Sequence, residues 1–345
     1  MNAFSYRVQT LQPSAIREIL KFTADPEVIS FAAGNPAPEA FPTEEIARIT
    51  NEILTTTPID ALQYSITEGY TPLRNWIKDD LKKKGMFDEN DEDVVITSGA
   101  QQAIEVVTKE ICNEGDTIIC EAPTFIGSLN AFRSYNAKLV GVEMEDDGIN
   151  IDKLEKALIE NPRTAFIYLI PNFQNPTGKT MSLEKRKAVL ALAQKYNVYI
   201  LEDNPYGDLR YIGENVPTIK SLDKNGNVLY AGTFSKTLAP GLRVGYLCAP
   251  KNVIAKAVVC MQVSTVHTSI LPQMITYKFV TENDFEQHLE KLREIYKRKS
   301  DLMLTNLLFT VYSDGTAIVN SQFVKIKEPK GGAEEVYQKL AEIVK

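Results

Sequence analysis

Residues 94–122 read VVITSGAQQAIEVVTKEICNEGDTIICEA. VVITS is a short β-branched run, GAQQAIEVVTKEIC reads as a helix, and DTIICEA is again a strand. The same unit repeats outward along the chain. FIGSLNAFRSY is a helix, KLVGVEM a strand, IDKLEKALIE a helix, AFIYLIP a strand, SLEKRKAVLALAQKY a helix and VYILEDN a strand. NVLYAGTF and RVGYLCAP follow as further strands. Continuous apolar strands between amphipathic helices imply an α/β fold, a mainly parallel sheet with helices on both faces.

The flanks differ. Residues 14–22, SAIREILKF, read as a short helix capped by Ser14, and helices are expected from about Thr43 to Leu54 and from Gly69 to Lys84. After Pro250 the reading is helical, with a long charged helix from about Asn283 to Leu308. The tail reads as one strand, TAIVNSQFVKIK, and a helix, AEEVYQKLAEIVK.

Composition narrows the function. The chain has 345 residues, 44% of them hydrophobic, and a net charge of −7. An acidic balance disfavours nonspecific nucleic-acid binding, which needs a positive footprint. Cys112, Cys120, Cys248 and Cys260 stand far apart in apolar surroundings, so free thiols are expected rather than disulfides or zinc. Only His267 and His288 are present, so a three-histidine metal site is hard to build and no metal is expected. The N-terminus lacks an apolar signal core and no run is long enough to span a bilayer, so no membrane partner and a cytoplasmic location are expected.

In open parallel sheets, ligands bind beyond the carboxyl ends of the strands. That rule singles out Ser98–Gln101, Ala122–Phe125, Pro171–Gly178, Asp203–Tyr206 and Thr233–Lys236. Ser98, Gly99, Ala100 and Gln101 open a helix whose free amides favour an anion such as phosphate, although taken alone they read first as an ordinary N-cap. Phe125 either stacks on a planar ligand or belongs to the core. In PNFQNPTGK, residues 171–179, Asn175 is a candidate amide donor in what is otherwise a rigid turn. Asp203 ends a strand, where a desolvated carboxylate needs a cationic partner, and alternation should turn its neighbour Glu202 to the opposite face.

The stretch GTFSKTLAPGLRVG, residues 232–245, places Lys236 among Thr233 and Ser235, with Arg243 seven positions on. A free lysine has a pKa of roughly 10.4, so a nucleophilic one needs a lowered pKa or a preformed Schiff base. A phosphate cradle, an aromatic, an amide, a carboxylate, a lysine and an arginine together suit pyridoxal 5′-phosphate.

These stretches resemble the class I, fold-type-I pyridoxal-phosphate aminotransferases, nearest the 2-aminoadipate, kynurenine and multi-substrate subgroup. The motifs are FAAGNPAPEAFP, LQYSITEGYTPLR, ITSGAQQAIE, PNFQNPTG, EDNPYGDLRY and TFSKTLAPGLRVGY, in family order over roughly residues 14 to 300. The resemblance implies that Lys236 is the Schiff-base lysine and proton shuttle, and that Asp203 is the partner of the pyridine nitrogen. It makes Tyr206 and Asn175 donors to the ring 3-oxygen and Phe125 the stacking aromatic. Ala100, Gln101, Thr233, Ser235 and Arg243 match phosphate-binding positions. Tyr64 matches a tyrosine that crosses to the other subunit's phosphate, which implies a homodimer. Gly34 and Arg17 match mobile positions that close over substrate, with Arg17 placed to meet a distal carboxylate.

The implied organisation is an N-terminal arm and small-domain segment over residues 1–45, a large cofactor-binding domain over 46–282 and a small C-terminal domain over 283–345. One departure stands out. The family carries a substrate-carboxylate arginine near its C-terminus, whereas this sequence has no arginine after Arg298, so the C-terminal domain reads as incomplete. The reaction expected is transfer of an amino group from an L-amino acid of 2-aminoadipate, aromatic or branched-chain type to 2-oxoglutarate or a similar 2-oxo acid. A carbon–sulfur β-lyase on the same cofactor and a non-catalytic aminotransferase-like protein are the alternatives. A regulator with a winged helix in front is disfavoured, because family-like sequence starts by about residue 14.

Overall fold

The computed structural model describes residues 4–9, 11, 34–306, 309–311, 316–319 and 322–325. The helices expected over residues 14–22 and 333–345, and Arg17 with them, lie outside these. The chain divides into two compact units, residues 1–289 and 290–345.

The first unit is built on one sheet. Its strands are β1 (Glu92–Thr97), β2 (Thr117–Ala122), β3 (Lys138–Glu145), β4 (Gly148–Ile149), β5 (Thr164–Leu169), β6 (Tyr199–Asp203), β7 (Val228–Thr233) and β8 (Gly245–Pro250). They lie in the order β1-β8-β7-β6-β5-β2-β3-β4. The run from β7 to β3 is parallel, while β8 lies antiparallel between β1 and β7 and β4 pairs antiparallel with β3. The chain winds outward on one side through β2 and β3, and on the other through β5, β6 and β7. Neighbouring strands β2 and β5 therefore flank a switch point, where a crevice opens at the carboxyl ends.

Alternation along each strand sorts the core. Val95, Ile118, Phe166, Tyr168 and Leu201 pack on one face with helices Ala100–Ile111, Ile126–Arg133 and Lys251–Ser264. Ile119, Ile167, Leu169 and Ile200 face the other way, toward helices Ile151–Glu160 and Leu183–Tyr196. Val94, Ile96, Tyr230 and Cys248 meet helices Thr43–Thr56, Thr71–Lys83 and Ile270–Glu282. Apolar burial on both faces explains why the strands lack a polar stripe. Asn150 and Ser182 cap their helices by accepting from the amides of Lys153 and Lys185. Among the described residues, no helix is long and apolar enough to cross a membrane.

The second unit holds most of helix Phe285–Asn306 and three antiparallel strands, β9 (Phe309–Val311), β10 (Thr316–Val319) and β11 (Gln322–Lys325), in the order β11-β10-β9. This corrects the tail reading. TAIVNSQFVKIK holds two paired strands rather than one, because Thr316 to Val319 fold back on Gln322 to Lys325.

Candidate active site

The site grows from the carboxyl ends of the strands. Gly245 starts β8 directly between two of them, paired with Thr97 of β1 on one side and Thr233 of β7 on the other. It has no space for a side chain: a Cβ there would lie 2.6 Å from the Gly99 carbonyl carbon and 2.8 Å from the Ala100 nitrogen. Gly99 adopts φ +71°, and a Cβ on it would meet Arg243 Nη2 at 2.4 Å. The two glycines thus bring the helix Ala100–Ile111 and the Arg243 guanidinium against one backbone corner. No side chain caps that helix at Gly99, which leaves its N-terminus open to an anion.

Arg243 itself is left-handed, φ 55°. Its Nη2 donates to the Ser98 carbonyl at 2.9 Å and its Nη1 to Ser235 Oγ at 3.5 Å. Thr233 Oγ1 donates to Ser235 Oγ at 2.9 Å and accepts from the Ser235 amide at 3.1 Å. Gln101 Nε2 donates to the Gly127 carbonyl at 3.1 Å, and the Phe125 ring folds over the same glycine. Phe125 lies past the end of β2, as the N-cap of helix Ile126–Arg133. Sequence-predicted Ala100, Gln101, Phe125, Thr233, Ser235 and Arg243 therefore form one connected rim. Its amides, hydroxyls and guanidinium are the donor set a phosphate monoester needs.

Asp203 ends β6 and is 4% exposed. Its Oδ2 accepts from the Tyr168 hydroxyl at 2.7 Å, and that oxygen accepts from Ser128 Oγ at 2.8 Å. Oδ1 is buried without a hydrogen-bond partner. Desolvation pushes the Asp203 carboxyl up to about 6, with the Tyr168 hydrogen bond opposing it. Glu202 turns to the opposite face as alternation requires, accepting from the amides of Ile219 and Lys220. A buried carboxylate oxygen that lacks a donor fits a protonated ring nitrogen.

Lys236 follows β7. Its Nζ donates to the Gly34 carbonyl at 3.1 Å and lies 5.8 Å from the centroid of the Tyr206 ring. Burial pulls the ammonium down from its usual range. Burial raises the Tyr206 hydroxyl, with the charge of Asp203 adding to the rise and the Asn175 side chain opposing it. Lys236, Tyr206, Asn175 and Gly34 thus adjoin one another. Tyr64 does not join them: it is 81% exposed and meets the His267 ring edge-on at 5.9 Å.

Several contributors escaped the sequence reading. Tyr168 is a phenol inside the apolar strand TAFIYL, and Ser128 sits one helical turn after Phe125. A buried tyrosine needs a partner for its hydroxyl, and that was the available signal. Glu121 at the end of β2 is 1% exposed, accepts from Ile170 N at 3.1 Å and Gln174 Nε2 at 3.3 Å, and is pushed up to about 8 by burial.

Comparison with known proteins finds relatives of the chain as a whole. The model for the family described as aminotransferase class I and II matches residues 26–345. An aromatic-amino-acid aminotransferase from Thermococcus litoralis is 40% identical, covering 95% of this chain and 78% of the relative. The structure of a Pyrococcus horikoshii kynurenine aminotransferase, solved with PMP, superposes with a TM-score of 0.85 at 34% identity, covering 98% of this chain and 85% of that one. An α-aminoadipate aminotransferase from Thermus thermophilus, solved with N-(5′-phosphopyridoxyl)-L-leucine, gives a TM-score of 0.81 at 33% identity, covering 99% of this chain and 86% of that one.

Proposed function

The chain belongs to the class I and II aminotransferase family, and on that premise we propose which groups move and which residues move them. The reaction is transfer of an amino group from an L-amino acid, of 2-aminoadipate, aromatic or branched-chain type, to a 2-oxo acid such as 2-oxoglutarate. The donor classes are suggested by relatives named for aromatic amino acids, kynurenine and α-aminoadipate. The cofactor is pyridoxal phosphate, as the phosphopyridoxyl and PMP complexes of those relatives suggest.

The observation that carries this reading is Lys236. Its ammonium meets a neutral carbonyl and an aromatic ring, and burial lowers its pKa. Such a lysine reaches the neutral, nucleophilic state far more often than a solvated one. When bound, the cofactor supplies an aldehyde that captures an amine and a ring that accepts electrons from the substrate carbon. Arg243, Ser235, Thr233 and the helix opening at Ala100 bind the phosphate. Phe125 stacks on the ring, and Tyr206 with Asn175 holds its 3-oxygen. Asp203 Oδ1 keeps a proton on the ring nitrogen. Lys236 Nζ takes the proton from the substrate Cα and returns it on the other side of the transfer, a role worth roughly 10²–10⁴ in rate. Gly34 adjoins Lys236, and a role for Arg17 at a distal carboxylate rests on the family resemblance alone. Tyr64 reaches the phosphate of a second copy, so the working form is a homodimer.

A panel of aminoadipate, aromatic and branched donors, each with 2-oxoglutarate, tests the reading. Glutamate formation from at least one donor class is expected. Pyruvate and ammonia released from a cysteine conjugate without any 2-oxo acid, and no glutamate from any donor, would overturn it in favour of a β-lyase.

A further inference from the structure

Resting on the aminotransferase reading, we propose that Tyr168 and Ser128 are positioning residues whose hydroxyls form a directed relay into Asp203, fixing Oδ2 and presenting Oδ1 to the cofactor's ring nitrogen. Three separate elements build the relay. Ser128 lies in the helix after β2, Tyr168 in β5 and Asp203 at the end of β6. All three are buried: Ser128 and Tyr168 are 0% exposed and Asp203 is 4% exposed. Tyr168 pairs in register with Leu201, two residues before Asp203, so the phenol and the carboxyl share one face of the sheet.

The direction of the relay follows from counting protons. Ser128 Oγ donates to the Tyr168 oxygen at 2.8 Å, so the single phenol proton is left to donate to Asp203 Oδ2 at 2.7 Å. A carboxylate with one oxygen so held cannot rotate freely. Its other oxygen, which is buried and has no protein donor, is the one left to face a ligand. The Tyr168 ring is itself fixed, edge-on to Phe132 at 5.3 Å, and Phe132 is edge-on to Phe166 at 5.6 Å.

The surroundings make the relay consequential. Asp203 is desolvated, and the ionisable neighbours that bear on it are Tyr168, Tyr206 and Glu121, none of them a cation. Only hydrogen bonds to its charged form keep it ionised before a ring proton arrives. Ser128 follows Phe125 by one helical turn, its amide donating to the Phe125 carbonyl at 3.2 Å. The same short helix therefore positions the stacking ring and the far end of the relay.

The test uses full-length protein loaded with pyridoxal phosphate carrying an isotopically labelled ring nitrogen, read by NMR. Tyr168→Phe keeps the packed ring and removes only the hydroxyl. The relay predicts that the nitrogen signal moves from the protonated toward the neutral position and that cofactor affinity falls about tenfold. It also predicts kcat down by on the order of tenfold to a hundredfold, with KM for the donor little changed, in line with losing a hydrogen bond to a charged group. Ser128→Ala should shift the signal the same way by less, and the double variant should be no worse than Tyr168→Phe alone. A Tyr168→Phe holoenzyme with the native nitrogen signal and native cofactor affinity overturns the relay. If that variant does not fold, Ser128→Ala decides, since a native signal there overturns it equally. Failure of the aminotransferase reading looks different: the native protein binds cofactor, shows the Tyr168 effect on the nitrogen, and transfers no amino group.

Discussion

At the scale of the residue, adjacent carboxyls meet opposite fates. Glu202 is buried against the amides of Ile219 and Lys220, while Asp203 keeps one buried oxygen without a partner. Strand alternation made that difference legible in the sequence. The relay behind Asp203 was not legible, because nothing in TAFIYL distinguishes a hydroxyl aimed at the site from one aimed elsewhere. Glu110 is a third case. Both of its carboxylate oxygens are buried without partners, and desolvation pushes it up to about 8. The folded chain thus keeps a proton that the unfolded chain releases above about 4.5. Stability from this group is complete below that pH and is lost as pH rises toward 8. Glu110→Gln should stabilise the protein by about 1–3 kcal/mol above pH 8, with the gain vanishing as pH falls toward 4.5. Thermal melting across that range checks it, and a pH-independent gain would contradict the assignment.

At the scale of the element, the repeated strand-and-helix units could be read from the sequence to within a few residues. Continuous apolar strands and capped amphipathic helices leave few other arrangements. Two features were less legible. Nothing in TAIVNSQFVKIK separates a long strand from a hairpin, since β-branched residues continue on both sides of Asn320. The meeting of Gly99 and Gly245 joins segments distant in sequence, and only the pairing of β8 between β1 and β7 creates it. A methyl group at Gly245 must displace the Gly99 backbone. Gly245→Ala should therefore cost about 1–3 kcal/mol in chemical denaturation and weaken pyridoxal phosphate binding, because the displaced corner is the phosphate rim. Unchanged stability and affinity would show that the corner is not as tight as its geometry states.

At the scale of the whole molecule, the apolar residues left in solvent have a place in the account. Ile59 is 72%, Leu62 71% and Tyr64 81% exposed. Ile59 and Leu62 lie on helix Pro58–Leu62 and Tyr64 just beyond it, and Thr67 Oγ1 donates to the carbonyl of Val266, itself 52% exposed, at 2.7 Å. Exposed large apolar side chains gathered in so short a stretch suit an association surface. The protein should sediment as a dimer. Leu62→Asp should sediment as a monomer and lose most activity, since Tyr64 would no longer reach a second site; a fully active monomer would contradict this. The expectation of a second copy rests only on resemblance to a family, because a tyrosine that reached a partner would look like any surface tyrosine.

The most direct test of the central claim is turnover by Lys236→Ala protein loaded with pyridoxal phosphate, assayed with the best donor and 2-oxoglutarate. Loss of at least about a hundredfold in kcat is predicted, with partial rescue by a small added amine. Undiminished transamination by that variant would contradict the account, because Lys236 Nζ is the group to which it assigns the proton.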